Sequence, residues 1–138
     1  MNFEKYTTKA AEAIQSAQQT AYNANHNAID EPHLLWAMLA QSDGFVPRII
    51  KKTAQKKPID QLIENELQKL PKVTGDNQMS ITQSLNKTLL EAEKQMKKLW
   101  DSYITTEHLF LAMLHNQSAF SKKLKEQWIN YNTTIDTI

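Results

Sequence analysis

Slid by 75 positions, the chain matches itself without a gap. Ile29–Leu39 falls on Ile104–Leu114, and six of the eleven pairs are identical: Ile, His, Leu, Ala, Met and Leu. Upstream, Ala10, Ala13, Ile14, Ala17, Ala21 and Ala24 fall on Leu85, Thr88, Leu89, Ala92, Met96 and Leu99. A fixed internal period of this kind is the mark of a duplicated supersecondary unit. In 138 residues there is room for two copies, too few for a solenoid. The two must share one core in a compact pseudo-two-fold domain. The expected organisation is a single domain over 1–138, with repeat one at 1–75 and repeat two at 76–138.

Both repeats read as helices. Only two glycines and four prolines interrupt the chain, so long segments run without a breaker. Ala10, Ala13, Ile14, Ala17 and Ala21 form an apolar stripe at helical spacing, and Leu85, Leu89, Ala92, Met96 and Leu99 repeat it with larger side chains. Thr7 or Thr8 can cap the first of these helices. Asp30 and Thr105 are the equivalent caps of the second helix in each repeat. Ile29 and Leu34, like Ile104 and Leu109, stand at the spacing of a hydrophobic staple. Glu31 and Glu107 put negative charge in the first turn, where the helix dipole favours it. A short helix is predicted over Val46–Ala54. A longer one is marked by Ile59, Leu62, Ile63, Leu67 and Leu70 and closed by Pro71. Residues 71–78 are the one clear connector. Phe120, Leu124 and Trp128 mark a further helix, and Asn132 caps a last one that runs into the chain end, which points to a longer parent protein.

The side-chain inventory excludes most chemistries. Without cysteine there is no disulfide, thiolate metal site, iron–sulfur cluster or thiol nucleophile. Gly44 and Gly75 stand in contexts that form neither a P-loop nor a dinucleotide fingerprint, and no His-Glu-x-x-His occurs. No cofactor or metal is expected in this domain. A net charge of +1 argues against a dedicated nucleic-acid or anionic-membrane binder. The apolar runs 34–40 and 109–114 fall far short of the ~20 residues a membrane-spanning helix needs, and the opening residues lack the apolar core of a secretory signal. A soluble, intracellular domain is expected.

Of the four histidines, His33 and His108 share the third helical position in the two repeats and read as partners of helix-end backbone groups. The five basic residues of Arg48–Lys57 lack interleaved aromatics and read as a solvated face with extended lysine stems. Trp36 and Trp128 read as core. Trp100, beside Asp101 where a helix should end, stands apart.

The 75-residue repeat, the two Ile-cap-x-x-His-Leu segments and the opening Phe3-Glu4-Lys5-Tyr6-Thr7 together resemble the Clp N-terminal domain family, nearest to its ClpB-type disaggregase branch. The resemblance covers essentially the whole chain. It implies an all-α bundle of about eight helices in two pseudo-symmetric halves, joined by a flexible linker to ATP-binding modules that this chain lacks. It implies binding of unfolded or aggregated polypeptide and delivery to an ATPase ring, hexameric in the full-length protein, in the cytoplasm; the fragment itself is expected to be monomeric. ClpB-type members associate this binding with a threonine at the opening helix, an aspartate before the second repeat's Ile and a glutamate in its cap segment. These fall on Thr7, Asp101 and Glu107, and Tyr103 lies between the two acids. ClpC-type relatives, which can read phosphorylated arginine, carry Glu before the motif His in both repeats. Here the first repeat has Pro32, with Glu31 one residue away, which weakens that reading. The alternative is a domain of a ClpC- or ClpA-type protease unfoldase that docks a folded adaptor or reads phosphoarginine.

Overall fold

The computed structural model describes residues 3–53, 56–73 and 79–127. Among them are seven helices: α1 (Thr8–Asn23), α2 (Glu31–Leu39), α3 (Phe45–Thr53), α4 (Lys56–Gln68), α5 (Gln83–Lys98), α6 (Thr106–His115) and α7 (Ala119–Lys125). Two-residue strands β1 (Ala28–Ile29) and β2 (Ser80–Ile81) pair in parallel. The fold is all-α apart from this pair. Trp128 and the last expected helix lie outside the described residues.

The 75-residue period is a structural period. Helices α1 and α5 begin and end at equivalent residues, and their caps, Thr7 and Thr82, each accept from the amide three residues on. Both helices close the same way. Ala24 and Leu99 are the C-caps, and Asn25 and Trp100 follow in the left-handed region at φ 62° and 61°. His26 N and Asp101 N then reach back to the carbonyls of Ala21 and Met96 at 2.9 and 3.0 Å, the wrapped bond of a Schellman ending. Gln41 Nε2 and Asn116 Nδ2 hold the equivalent carbonyls of Lys9 and Ser84, each at 3.0 Å.

Each repeat's opening strand pairs with the other repeat. β2 runs beside β1, and Tyr6 forms the matching parallel bridge with Ile104. Thr82 N donates to Ile29 O at 3.0 Å, and Thr7 N donates to Ile104 O at 2.9 Å. These exchanged contacts lie on either side of a core in which α2 and α6 are central. Ile14, Leu34, Leu35, Met38, Ile49, Ile63, Leu109, Phe110 and Met113 are all buried in it. The alanine stripe of α1 is buried throughout, as its small side chains and spacing predict.

Three expectations change. Trp36 is not core: it is the one exposed residue of α2 before its C-cap, 39% accessible, and lines a groove with Leu39, Ala40 and Asp60. Helix α2 is covered by α1, α3 and α4 on its other faces, and one rim stays open. The second change concerns α4, which ends at Gln68 rather than running through Leu70 to the Pro71 stop, with Leu70 N turning back to Leu67 O.

Glu31 is the third. It is no surface dipole partner but a carboxyl only 1% exposed, wedged against the second repeat. Thr88 donates to its Oε2 at 3.1 Å, and Ser118 and Asn116 stand near enough to favour its charged form. Burial pushes its pKa up to about 7 against the pull of these groups.

Candidate functional site

The motif histidines organise the surface that the sequence singles out. In both repeats the N3 imidazole closes a capping box: Asp30 N donates to His33 Nδ1 at 2.9 Å, and Thr105 N to His108 Nδ1 at 2.8 Å. With Nδ1 accepting, the neutral ring's proton stands on Nε2. That Nε2 reaches the residue seven positions earlier. His33 meets His26 Nδ1 at 2.8 Å, and His108 meets Asp101 Oδ2 at 2.8 Å. Burial, with His26 next in effect, lowers the pKa of His33 to about 4, and burial also lowers that of His26. The two histidines do what their sequence position implies, satisfying backbone groups at a helix start. In the second repeat the same ring also pins an acid whose side chain remains 51% exposed.

Around Asp101 the structure gathers the four sequence-selected residues into one neighbourhood. Thr7 caps α1, its hydroxyl accepting from Ala10 N at 3.2 Å, and its amide is bonded to Ile104 O. Ile104 N in turn donates to Lys5 O at 2.7 Å. Tyr103, 55% exposed, immediately precedes that bridge, and Glu107 stands half-buried in the first turn of α6. The exchanged bridge Tyr6–Ile104 is therefore what brings Thr7 to the 101–107 segment.

One neighbour exceeds the sequence expectation. Trp100 is 94% exposed and holds φ 61°, a conformation that is an outlier for a bulky side chain. Its repeat equivalent is Asn25, a residue type that tolerates the position. Strain of this kind at an exposed aromatic makes Trp100 a candidate beside the four. Replacing Trp100 with Gly should stabilise the domain by about 0.5 kcal/mol, the relief of left-handed strain less the extra entropy of a freer unfolded chain. The check is a higher urea midpoint at unchanged m; a lower midpoint would mean that the indole supports the fold.

Elsewhere the surface offers shallow grooves. One of about 330 Å³ runs between Lys87, Leu90, Glu91 and the α6 end at His115–Gln117, and another of about 400 Å³ is lined by Gln15, Gln18, Gln19, Tyr22 and Met79. Neither includes Thr7, Asp101, Tyr103 or Glu107. In the basic 48–57 segment Arg48, Lys51, Lys52 and Lys57 are exposed, as a solvated helix face requires. Among the described residues no group of three or more His, Asp or Glu side chains is placed to hold a metal ion, and no helix is long and apolar enough to cross a membrane.

The described residues thus form a two-repeat helical domain with a polar edge fringed by exposed aromatics. Residues 5–127 match the Clp repeat (R) N-terminal domain. The chain is 36% identical over 127 residues, 88% of its length, to the chaperone protein ClpB of Bacillus anthracis. It is 38% identical over 117 residues, 81% of its length, to ClpB of Bacillus cereus. It belongs to the Clp repeat N-terminal domain family, and it spans only 15% and 14% of those relatives' own length.

Solved structures agree on the fold. The N-terminal domain of Hsp104 from Candida albicans superposes with a TM-score of 0.82 at 20% identity, covering 95% of this chain and 87% of that one. The ClpV N-domain in complex with a VipB peptide superposes at 0.72 and 16% identity, covering 96% of this chain and 84% of that one.

Proposed function

We propose that this domain is the client-binding module of a ClpB-type ATP-dependent chaperone. It would hold unfolded or aggregated polypeptide and pass it to ATP-binding modules of the same longer, hexameric protein in the cytoplasm. ATP would bind in those modules, not here. The observation that supports this most directly is the convergence of Thr7, Asp101, Tyr103 and Glu107 around the Ile104 bridge, with Trp100 and Tyr103 exposed beside a fixed acid. Exposed aromatics suit apolar client segments, and the acids set the polar rim. Client sequences vary, so the site should bind weakly, and tethering to a ring supplies the effective concentration that low affinity lacks. Its structural likeness to a ClpV N-domain that binds a VipB peptide adds support.

The phosphoarginine-reading alternative loses ground. It needs an acid in each repeat, and in the first repeat Pro32 is buried and Glu31 is committed to Thr88. Docking of a folded adaptor remains the competing reading and is an outcome of the same test.

The test is an amide NMR titration with an unfolded, apolar-rich polypeptide. Shifts should cluster at Thr7, Asp101, Tyr103 and Glu107. Asp101→Ala and Glu107→Ala should each weaken binding about three- to tenfold, the effect of losing a rim contact. Both variants should stay folded, since Asp101→Ala removes one half-exposed bond worth about 1 kcal/mol. If both bind the polypeptide as wild type does, the site is wrongly placed. A flat titration beside one-to-one saturation by a folded adaptor would favour the docking reading.

A further inference from the structure

The two repeats differ at one edge. In the first, the connector after α4 lies against the turn that follows α1. His26 and Lys72 form an antiparallel bridge, and Val73 N donates to Asn25 O at 2.8 Å. The antiparallel pattern of that bridge also turns the amide of residue 27 towards the same segment. The equivalent groups in the second repeat are the Trp100 carbonyl and the Ser102 amide. Among the described residues neither meets a backbone partner. Asp101 and Ser102 are exposed at this edge, as are the side chains of Trp100 and Tyr103 on either side of them.

We propose that the Trp100–Ser102 edge takes an extended polypeptide segment as an added antiparallel strand, in the register that Lys72 and Val73 occupy against Asn25–Asn27 in the first repeat. This rests on the client-binding reading above and specifies how a client is held. The Trp100 carbonyl accepts an N–H from the segment, and the Ser102 amide donates to a carbonyl two residues earlier. Main-chain pairing of this kind is indifferent to client sequence and gains its preferences from the side chains at alternate positions.

Those preferences can be read from the internal example. Lys72 lies near enough to His26 to disfavour the charged imidazole. In the second repeat the position of His26 is taken by Asp101, a carboxylate held in place by His108. A basic residue that meets a neutral ring in the first repeat therefore meets a carboxylate in the second. The residue after it, Val73 in the internal example, falls beside Trp100. The favoured client element is an extended pair, basic then apolar. The left-handed φ of Trp100 fits this role: it turns the chain out of α5 so that carbonyl 100 and amide 102 face the same way, as the Schellman ending does at Asn25.

The probe is a blocked synthetic peptide with the sequence of residues 69–74, Lys-Leu-Pro-Lys-Val-Thr, titrated into the whole chain by NMR. The Ser102 amide and the Trp100 indole should shift, and Ser102 amide exchange should slow. N-methylation at the valine should weaken binding about tenfold, the effect of one lost backbone bond. Glu in place of the second lysine should weaken it similarly, and Asp101→Lys should restore that altered peptide. Trp100→Gly should weaken binding in a folded domain. The inference is overturned if N-methylated and Glu-bearing peptides bind as tightly as the parent. It is also overturned if the shifts fall on Asn25 and Val73, or if the parent leaves Ser102 unmoved while an unfolded polypeptide still shifts Thr7 and Glu107. In that last case client binding at the surface stands and only the pairing falls. Should neither ligand move any of these residues, the client-binding reading itself fails.

Discussion

Glu31→Gln should make the domain more stable at pH 8 by about 2 kcal/mol and turn a nearly flat pH dependence into a rising one. Glu31 keeps its proton in the fold up to a pKa of about 7, and in the unfolded chain only up to about 4.5. Between those values the folded state binds more protons, so its stability falls as pH rises. A shift of this size is worth about 3 kcal/mol, and the less suited hydrogen bonding of an amide among Thr88, Ser118 and Asn116 trims the gain. His33 works in the opposite sense. Its folded pKa of about 4 lies below the unfolded 6.5, so the unfolded chain binds more protons in that window and stability is lost as pH falls through it. His26, shifted the same way, adds to this slope. In the wild type the glutamate and histidine slopes oppose each other between about pH 4.5 and 6.5. Without Glu31 the histidine slope stands alone. Urea midpoints from pH 4 to 8 test this directly. Equal midpoints for variant and wild type at pH 8 would show that the buried carboxyl carries no ionisation cost.

Phe110→Ala should cost about 3–5 kcal/mol, the range for deleting a buried aromatic ring from a close-packed core. Among the described residues Phe110 is the largest of the fully buried side chains, and it sits in α6, which packs on α1, α2, α3, α5 and α7. Its repeat equivalent in α2 is Leu35, also fully buried, so the ring fills volume that the shorter side chain of the first repeat does not. Small domains are stable by only about 5–15 kcal/mol, so the variant would sit near the unfolding threshold. Phe110→Leu, which keeps most of the volume, should cost about 1 kcal/mol and remain folded. Denaturant unfolding of the pair checks the cavity account. Equal, small costs for both would show that the core collapses around the missing ring.

Much of this protein was legible along the chain. The period placed α1 on α5 and α2 on α6 because duplicated sequence carries the same caps and stripes. The caps at Asp30 and Thr105, the staple residues and the capping histidines depend on positions at most five apart, a range that periodicity resolves. Among the described residues seven helices stand where helices were expected, with α4 ending two residues early. Of the four candidate site residues, the resemblance to a known family selected Thr7, Asp101 and Glu107, and Tyr103 was added for lying between the acids. Nothing local in the sequence distinguishes Thr7 from any other helix cap.

Other features answer to contacts between the repeats. The two-residue strands carry no pattern of their own and exist because each repeat's opening segment crosses to the other. Glu31 reads as a first-turn acid from its neighbours in sequence. Only the approach of Thr88, 57 residues away, makes it a buried, proton-holding group. Trp36 has the sequence surroundings of a core residue, but its exposure depends on which faces of α2 the other helices leave open. The Trp100–Ser102 edge, which has no backbone partner among the described residues, can be recognised only against the edge at Asn25–Asn27, where a segment distant in sequence has paired. What the sequence determined by itself was set by interactions within a few residues: periodicity, caps and the duplication. What the tertiary structure alone decided was which of those elements lose water and which keep it, because burial is a property of packed surfaces and not of positions along a chain.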